Sequence, residues 1–484
     1  MSESPPNALP PPAGLVRRLT PALVAGVGYA AAAVFAGLLI HAVIAGFTWH
    51  KYHADYAIYA NMLWNSAHGE PFRYFVTLNY LKVHLSFSLL LLAPLFWVID
   101  HSFLLCGVQL GCLFGGAALL HRAARRHGLP HAMAAALLFF LVGYRFTQNV
   151  QVHAFHGVSL YFLLLPWLYY CLCFRKPWAV LPWLIILGLR EDAALVTLPL
   201  LLYVAVRDRW KGGYVLAGLA LLYSACAVFV LYPWINGASL AESRHREMST
   251  VLGDGMQAAE WLRSRQPGLV LVALPLLALA GRRLPLALLP CATALIQALF
   301  SGWRNQFVLE THYSAAVMAG LATGLLEAAA RAHADDRAAG RAPGWMIARA
   351  LALIAVVAGV HAWKGVIRGG PRPDHRLLSI SQPGLNTLRA ARQVPRDGIL
   401  LCTGDVEEYF AHRRDLLVYR KADLDLRTFD YVFATDDERQ PLQRGELRAQ
   451  LEAGALGIRF QQDGCILLER GADPSRNNLL LNPP

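Results

Sequence analysis

Hydrophobic residues form ten long runs between positions 22 and 363, separated by short polar segments. The runs cover residues 22–47, 84–120, 131–146, 158–174, 178–206, 214–232, 268–281, 284–300, 313–330 and 345–363. A helix that crosses a bilayer needs about 20 mostly apolar residues. The pattern therefore predicts a mainly α, polytopic helical membrane protein with about 10–12 spans.

Basic residues gather between these runs and predict the orientation of the chain. They form six clusters: Arg17 and Arg18; Arg122, Arg125 and Arg126; Arg175 and Lys176; Arg207, Arg209 and Lys211; Arg282 and Arg283; and Arg331, Arg337 and Arg341. Short cytoplasmic loops are enriched in Lys and Arg, so the clusters predict the cytoplasmic face. Residues 1–21 are then a cytoplasmic tail before a transmembrane domain over 22–363, whose loops 48–83 and 233–266 lie outside the cytoplasm.

Two of the hydrophobic runs are expected to be broken into more than one segment. Run 178–206 carries three consecutive charges, and each charge at the centre of a span costs about 2.5–3.5 kcal/mol. We therefore expect two short helices, with the triplet 190–192 at an outer hairpin tip. Run 84–120 must make one net crossing under this orientation. This favours a re-entrant or surface-lying segment over 84–99 followed by a span over 102–120, with two crossings as the alternative.

The chain becomes polar beyond about residue 364, and residues 364–484 predict a small extracytoplasmic α/β domain. Strand-like runs at 398–402, 431–435, 458–460 and 465–469 alternate with helical stretches at 385–393 and 443–453. Cys402 and Cys465 each stand at an end of a predicted strand, in an oxidising compartment. A disulfide between these two residues and a pair of separate buried thiols are both compatible with the sequence.

The composition narrows the class of protein. A mean hydropathy of +0.38, with 56% hydrophobic and 16% charged residues, excludes an ordinary soluble enzyme. The formal net charge of +12 follows from the basic clusters, so we expect membrane lipids and no nucleic acid as partners. The sequence contains no P-loop, no G-x-G-x-x-G fingerprint and no nucleophile elbow.

Polar residues that suit chemistry fall on the predicted outer segments. Asp55 begins an amphipathic helix predicted over 54–67, where its carboxylate is either an N-cap or a general base at the membrane surface. His153 and His156 are three residues apart, which fits either metal ligation or interfacial hydrogen bonding.

The triplet at 190–192 is the sharpest local feature. It is either a solvated tip with an internal ion pair or a functional group, because charges between membrane helices are costly unless paired or used. In the functional interpretation, Arg190 binds a phosphate group. Further polar candidates on the same face are Lys82, His84, Glu191, Asp192, Glu310, His312 and Tyr313.

Five stretches of the chain resemble, in order and spacing, a bacterial family of multi-pass membrane proteins of unknown function. They read YHADYAIYANMLWNSAHGEPF, NYLKVHLSFSLLLLAPLFW, VHAFHGVSL, LGLREDAAL and THYSA. That family is itself similar to the GT-C class of glycosyltransferases, which use lipid-linked sugars. The resemblance covers residues 20–330 and implies a GT-C-like fold in the bacterial inner membrane.

The resemblance implies transfer of a sugar from a polyprenyl-phosphate donor to an unknown acceptor at the outer face of the membrane. In GT-C enzymes a carboxylate of the first outer loop is a general base or a metal ligand. Asp55 occupies that position, which makes it the expected catalytic residue and a divalent metal ion a candidate cofactor. The expected substrate-binding residues are Lys82, His84, His156, Arg190, Glu191, Asp192, His312 and Tyr313.

The chain departs from the family pattern at Ala54, where the family commonly has an aromatic residue before the Asp, and at two motifs that lose an acid. Residues 82–84 read Lys-Val-His where the family has Gly-Asp-His, and residues 154–156 read Ala-Phe-His where it has Asp-Phe-His. Both motifs keep the histidine and lose the acid, whereas the triplet at 190–192 is intact. The lost acids favour a non-catalytic membrane scaffold, and a transporter is a further alternative. The gathering of polar residues at one interface favours an enzyme.

Overall fold

Helices make up most of the part of the chain that the computed structural model describes. This part comprises residues 13–49, 53–76, 78–239, 258–279, 283–301, 304–340, 344–366, 375–404, 406–419, 429–435 and 445–481. The helices up to residue 364 are α1 (Ala13–Thr48), α2 (His53–Ala67), α3 (Leu95–Val98), α4 (Leu104–Arg126), α5 (His131–Gly143), α6 (Arg145–Gln151), α7 (Tyr161–Cys173), α8 (Val180–Leu187), α9 (Ala193–Arg207), α10 (Lys211–Cys226), α11 (Tyr232–Asn236), α12 (Ala258–Leu279), α13 (Leu284–Leu288), α14 (Ala292–Leu299), α15 (Arg304–Phe307), α16 (Ala315–Ala338) and α17 (Gly344–Lys364).

Five helical segments in the described residues are long and apolar enough to cross a membrane. They are Thr20–Thr48, Leu104–Arg126, Lys211–Asn236, Thr311–Ala338 and Gly344–Lys364. Helices α5 and α6 bend by 44° at their junction and together make a sixth candidate. The prediction of a polytopic helical protein is confirmed. The expected number of about 10–12 spans is reached only if the shorter apolar helices, such as α7, α8 and α9, also cross.

The two unusual hydrophobic runs have the predicted helical breaks. Helices α8 and α9 are short and separate at the triplet 190–192. Run 84–120 contains one long helix, α4, preceded by a 3₁₀ segment over Phe87–Leu92 and by α3. The backbone N–H of Ser88 donates to the carbonyl oxygen of Gly188 at 2.8 Å. The short segment before α4 therefore packs against the tip between α8 and α9.

A five-stranded mixed sheet forms the core of the C-terminal domain. Its strands are β3 (Leu400–Thr403), β4 (Leu416–Tyr419), β5 (Tyr431–Thr435), β6 (Leu456–Gln462) and β7 (Cys465–Arg470), in the order β4-β3-β5-β7-β6. Strand β3 is parallel to β4 and β5, whereas β7 is antiparallel to β5 and β6. The domain also contains α18 (Gln382–Ala391), α19 (Gly445–Glu452) and α20 (Asn478–Leu481), and a separate hairpin of β1 (Arg73–Tyr74) and β2 (Leu78–Asn79) follows α2. A small α/β domain is thus present, with β4 as the strand that the sequence pattern missed.

The disulfide considered for Cys402 and Cys465 is not formed. Cys402 on β3 lies opposite Phe433 of β5, and Cys465 on β7 lies opposite Thr435 of the same strand. Neighbouring strands are about 4.8 Å apart, so two strands with a third between them are about 10 Å apart. A disulfide needs Cα atoms within about 7 Å. Both cysteines are instead buried in the sheet without a bridge, as in the alternative of two separate thiols.

The C-terminal domain docks directly on α2. The side-chain amide of Asn61 donates to the carbonyl oxygens of Ala411 at 2.9 Å and Arg413 at 2.7 Å. Its own oxygen accepts from the backbone N–H of Phe75 at 2.6 Å. Asn61 is completely buried, so these bonds satisfy an amide that would otherwise be costly to bury. The C-terminal domain therefore fixes the helix that carries Asp55.

A second docking contact joins α18 to the end of α1 and supports a test of the interface. A Cβ atom at Gly384 would lie 1.6 Å from the carbonyl oxygen of Thr48. We expect Gly384→Ala to destabilise the protein by about 1–3 kcal/mol through overpacking, measured as a lower Tm in detergent. Gly359→Ala in α17 is the control, since a Cβ there meets nothing within 4 Å. Equal Tm values for the two variants would contradict this close approach of α18 to α1.

Candidate functional site

Asp55 lies in the first turn of α2, beside the loop that follows α6. Tyr56 and Ala60 are completely buried, whereas the carboxylate of Asp55 remains 49% exposed. Its Oδ2 atom lies 3.5 Å from Nε2 of His156 and 3.8 Å from Nε2 of His153. Asp55 therefore faces two histidines and is open to a second molecule.

Three histidines from two distant segments form a histidine cluster of His153, His156 and His312. The rings of His156 and His312 are stacked, with centroids 3.4 Å apart. The ring of His153 lies 5.5 Å from His156 and 5.7 Å from His312. One nitrogen atom of each residue lies within 4.8 Å of those of the other two. Three imidazole nitrogens this close together form a group that could hold a metal ion after a local adjustment.

The charged triplet between α8 and α9 makes two separate sets of contacts. Glu191 is 2% exposed, and its carboxylate accepts hydrogen bonds from Nδ1 of His84 at 3.0 Å and from the backbone N–H of Leu85 at 3.2 Å. We interpret Glu191 as a residue that positions His84. Arg190 and Asp192 are half-buried, and Nε of Arg190 lies 3.1 Å from Oδ1 of Asp192.

A small cavity joins the triplet to the histidine cluster. It measures about 40 Å³, and Arg190, Asp192, His312 and Tyr313 contribute to its lining. Because His156 stacks on His312, the cavity is linked through these two rings to Asp55. Lys82 is exposed at the end of the 3₁₀ turn Tyr80–Lys82 and does not line this cavity. The structure thus brings together most of the predicted site residues and leaves Lys82 outside the cavity.

Tyrosine residues that were not among the predicted site residues also lie at the site. The ring of Tyr59 lies 5.4 Å from His156 and 5.3 Å from Tyr80, measured between centroids, and Tyr161 lines the cavity. In the sequence, Tyr59 served only as an apolar position of α2. Tyr59 lies four residues after Asp55, and residues at this spacing share one face of a helix. This spacing could have identified Tyr59 as a residue of the site.

Burial and neighbouring charges set the protonation of the site. Burial lowers the pKa of His156 below its usual value, although Asp55 opposes this shift. Burial would also lower the pKa of Arg190, but the carboxylates of Asp192 and Glu191 outweigh burial and raise that pKa. Arg190 therefore stays cationic, whereas burial favours the neutral form of His156. The site can offer a proton acceptor, a fixed positive charge and several nitrogen ligands.

Comparisons with known proteins identify the family. A search of curated proteins found none that matches the chain. Among solved structures, ArnT from Cupriavidus metallidurans is similar, with a TM-score of 0.46 and 12% sequence identity over 90% of this chain and 97% of that chain. The model of the family DUF2079, described as a predicted membrane protein, matches residues 52–467. Because this match covers most of the chain and all of the site residues, the protein belongs to the DUF2079 family of membrane proteins.

Proposed function

We propose that the protein is a membrane glycosyltransferase that moves a sugar from a polyprenyl-phosphate donor to an acceptor hydroxyl at the outer face of the bacterial inner membrane. One observation carries this proposal: His156 and His312 link the half-exposed carboxylate of Asp55 to the cation of Arg190 around one cavity. A base for the acceptor and a cation for the leaving phosphate are the groups that this reaction needs.

In the proposed step, the acceptor oxygen attacks the anomeric carbon of the sugar while the bond from that carbon to the donor phosphate breaks. The proton of the acceptor hydroxyl moves to Asp55. The electron pair of the broken bond stays on the polyprenyl phosphate. Arg190 stabilises the negative charge that develops on this leaving group.

The surface next to the triplet supports a lipid-linked donor. Leu91, Trp97 and Val98 in the segment before α4 are exposed hydrophobic residues. This segment is bonded to the tip of α8 and α9 through Ser88 and Gly188. An apolar segment that is bonded to the tip carrying Arg190 matches a donor with a hydrocarbon chain and a phosphate head.

The test uses the full chain in proteoliposomes that contain a panel of polyprenyl-phosphate sugars. We expect release of free polyprenyl phosphate, detected by mass spectrometry, from one class of donor when acceptors are supplied. Folded protein that releases none from any donor would contradict the proposal. Movement of the intact lipid between leaflets without release would support the transporter instead.

Sidedness is a separate prediction, because the donor and acceptor must meet outside the cytoplasm. In a Cys226→Ser background, we expect an impermeant thiol reagent to label Leu78→Cys in intact cells and to leave Trp210→Cys unlabelled. Both positions are exposed, and Trp210 belongs to a basic segment that predicts the cytoplasmic side. Labelling of both variants after lysis is the control. The reverse pattern in intact cells would invert the topology.

A further inference from the structure

We propose that His153, His156 and His312, together with Asp55, bind one first-row transition metal ion such as Zn²⁺. This metal site is part of the site proposed for sugar transfer, so the role of the ion rests on the proposed function. The four side chains offer three imidazole nitrogens and one carboxylate oxygen. Imidazole suits Zn²⁺ and related ions, whereas Mg²⁺ and Ca²⁺ prefer all-oxygen sites. The chemistry of the donors therefore selects the class of ion.

The tautomer of His156 provides the first argument. Its Nδ1 atom lies 3.0 Å from the carbonyl oxygen of Ala154, and only a protonated Nδ1 makes a hydrogen bond with that oxygen. The ring nitrogen that this hydrogen bond leaves free for a ligand is Nε2, which faces Oδ2 of Asp55 at 3.5 Å. A cation between these two atoms would be held by both of them. A carbonyl that fixes the ring in this way is also typical of metal-binding histidines.

The distances provide the second argument. Two atoms bound to a tetrahedral Zn²⁺ at about 2.0–2.1 Å are about 3.3–3.4 Å apart. Oδ2 of Asp55 lies 3.5 Å from Nε2 of His156 and 3.8 Å from Nε2 of His153. These separations exceed the usual hydrogen-bond range and are close to the spacing of two ligands on one ion.

His312 provides the third and independent argument. Its Nδ1 atom is buried and has no hydrogen-bond partner among the residues that the structure describes. Buried polar atoms are nearly always bonded, so a ring nitrogen left without a partner beside two other imidazoles indicates a ligand atom.

Coordination by all three histidines requires one local movement. Rings that share a tetrahedral ion have centroids about 5 Å apart, which is close to the separations from His153. The stacked rings of His156 and His312 are closer, at 3.4 Å. We therefore infer that the ring of His312 turns away from His156 when the ion binds. Asp55 would hold the ion through Oδ2, and Oδ1 would remain available for the acceptor proton.

The test measures metal binding by the full chain in detergent, without reference to sugar transfer. After chelation and dialysis against Zn²⁺, we expect one tightly bound Zn²⁺ per chain by mass spectrometry, with no displacement by excess Mg²⁺. His156→Ala and His312→Ala should each weaken binding at least about tenfold. Bound Co²⁺ should give the visible absorption of a tetrahedral site, which both variants should lose. Unchanged binding in these variants, or displacement by Mg²⁺, would overturn the inference.

Two controls separate this site from other sources of binding. His127, Cys173 and Glu327 form a second group with ligand spacing, so Cys173→Ser should leave the high-affinity ion in place. His101→Ala tests for loss of binding through general destabilisation. If binding is lost in Cys173→Ser and retained in His156→Ala, the ion belongs to the other group and the inference is wrong. Zn²⁺ binding without any sugar transfer would leave the metal site standing and reject only the proposed function.

Discussion

Asp55→Asn is expected to lower the rate of sugar transfer by about 10²–10⁴-fold, the usual contribution of a general base. The amide has the shape of the carboxylate but cannot accept the acceptor proton. Asp55 is half-exposed, and its ion-pair contacts with His153 and His156 among the described residues are long, so the variant should keep the Tm of the parent protein. The measurement is the initial rate of polyprenyl-phosphate release at saturating donor.

Glu310→Gln is the matched control for this variant. Glu310 is a similarly exposed carboxylate next to the segment that carries His312, and it lies 3.8 Å from Arg145. We expect its transfer rate to stay close to that of the parent protein. If Asp55→Asn keeps the parent rate, or if Glu310→Gln loses as much activity, Asp55 is not the base.

Arg190→Ala is expected to lower the transfer rate by about 10²–10³-fold, as removal of one electrostatic stabiliser does in other enzymes. The loss should appear in kcat, because the charge on the phosphate grows as the donor bond breaks. Arg190→Lys keeps the charge without the planar fork and should recover part of the rate.

The controls for Arg190 concern folding and additivity. Arg396→Ala removes an exposed arginine that pairs with Asp100 and should leave the transfer rate unchanged. The double variant Asp55→Asn/Arg190→Ala should be no slower than the worse single variant, because residues that serve one step are non-additive. Fully additive losses would show that Asp55 and Arg190 do not act in the same step.

Periodicity and charge were enough to predict the helices and the position of the breaks between them. The triplet at 190–192 separates α8 from α9 because three charges cannot remain inside one span. The first helix after α1 begins and ends near its predicted limits of 54–67 because Tyr56, Tyr59 and Met62 repeat at helical spacing. These features depend on local sequence alone.

Features that depend on distant contacts were not predictable in the same way. Strand β4 has only four residues, and its alternating burial follows from its position beside β3. The separation of Cys402 from Cys465 depends on which strand lies between them. His312 joins His156 across 156 residues of chain, and no spacing rule connects the two. The sequence could predict the candidate residues of the site, whereas their assembly required the fold.

Asn61 can form its buried hydrogen bonds with the C-terminal domain only late in synthesis of the chain. Its carbonyl partners are 350 and 352 residues further along the chain. At a synthesis rate of about 5–20 residues per second, they leave the ribosome roughly 20–70 s after α2. During this interval the helix that carries Asp55 lacks the contacts that fix it. A chain that stops before residue 411 would therefore lack both carbonyl partners of Asn61, and α2 would not be anchored to the C-terminal domain through this side chain.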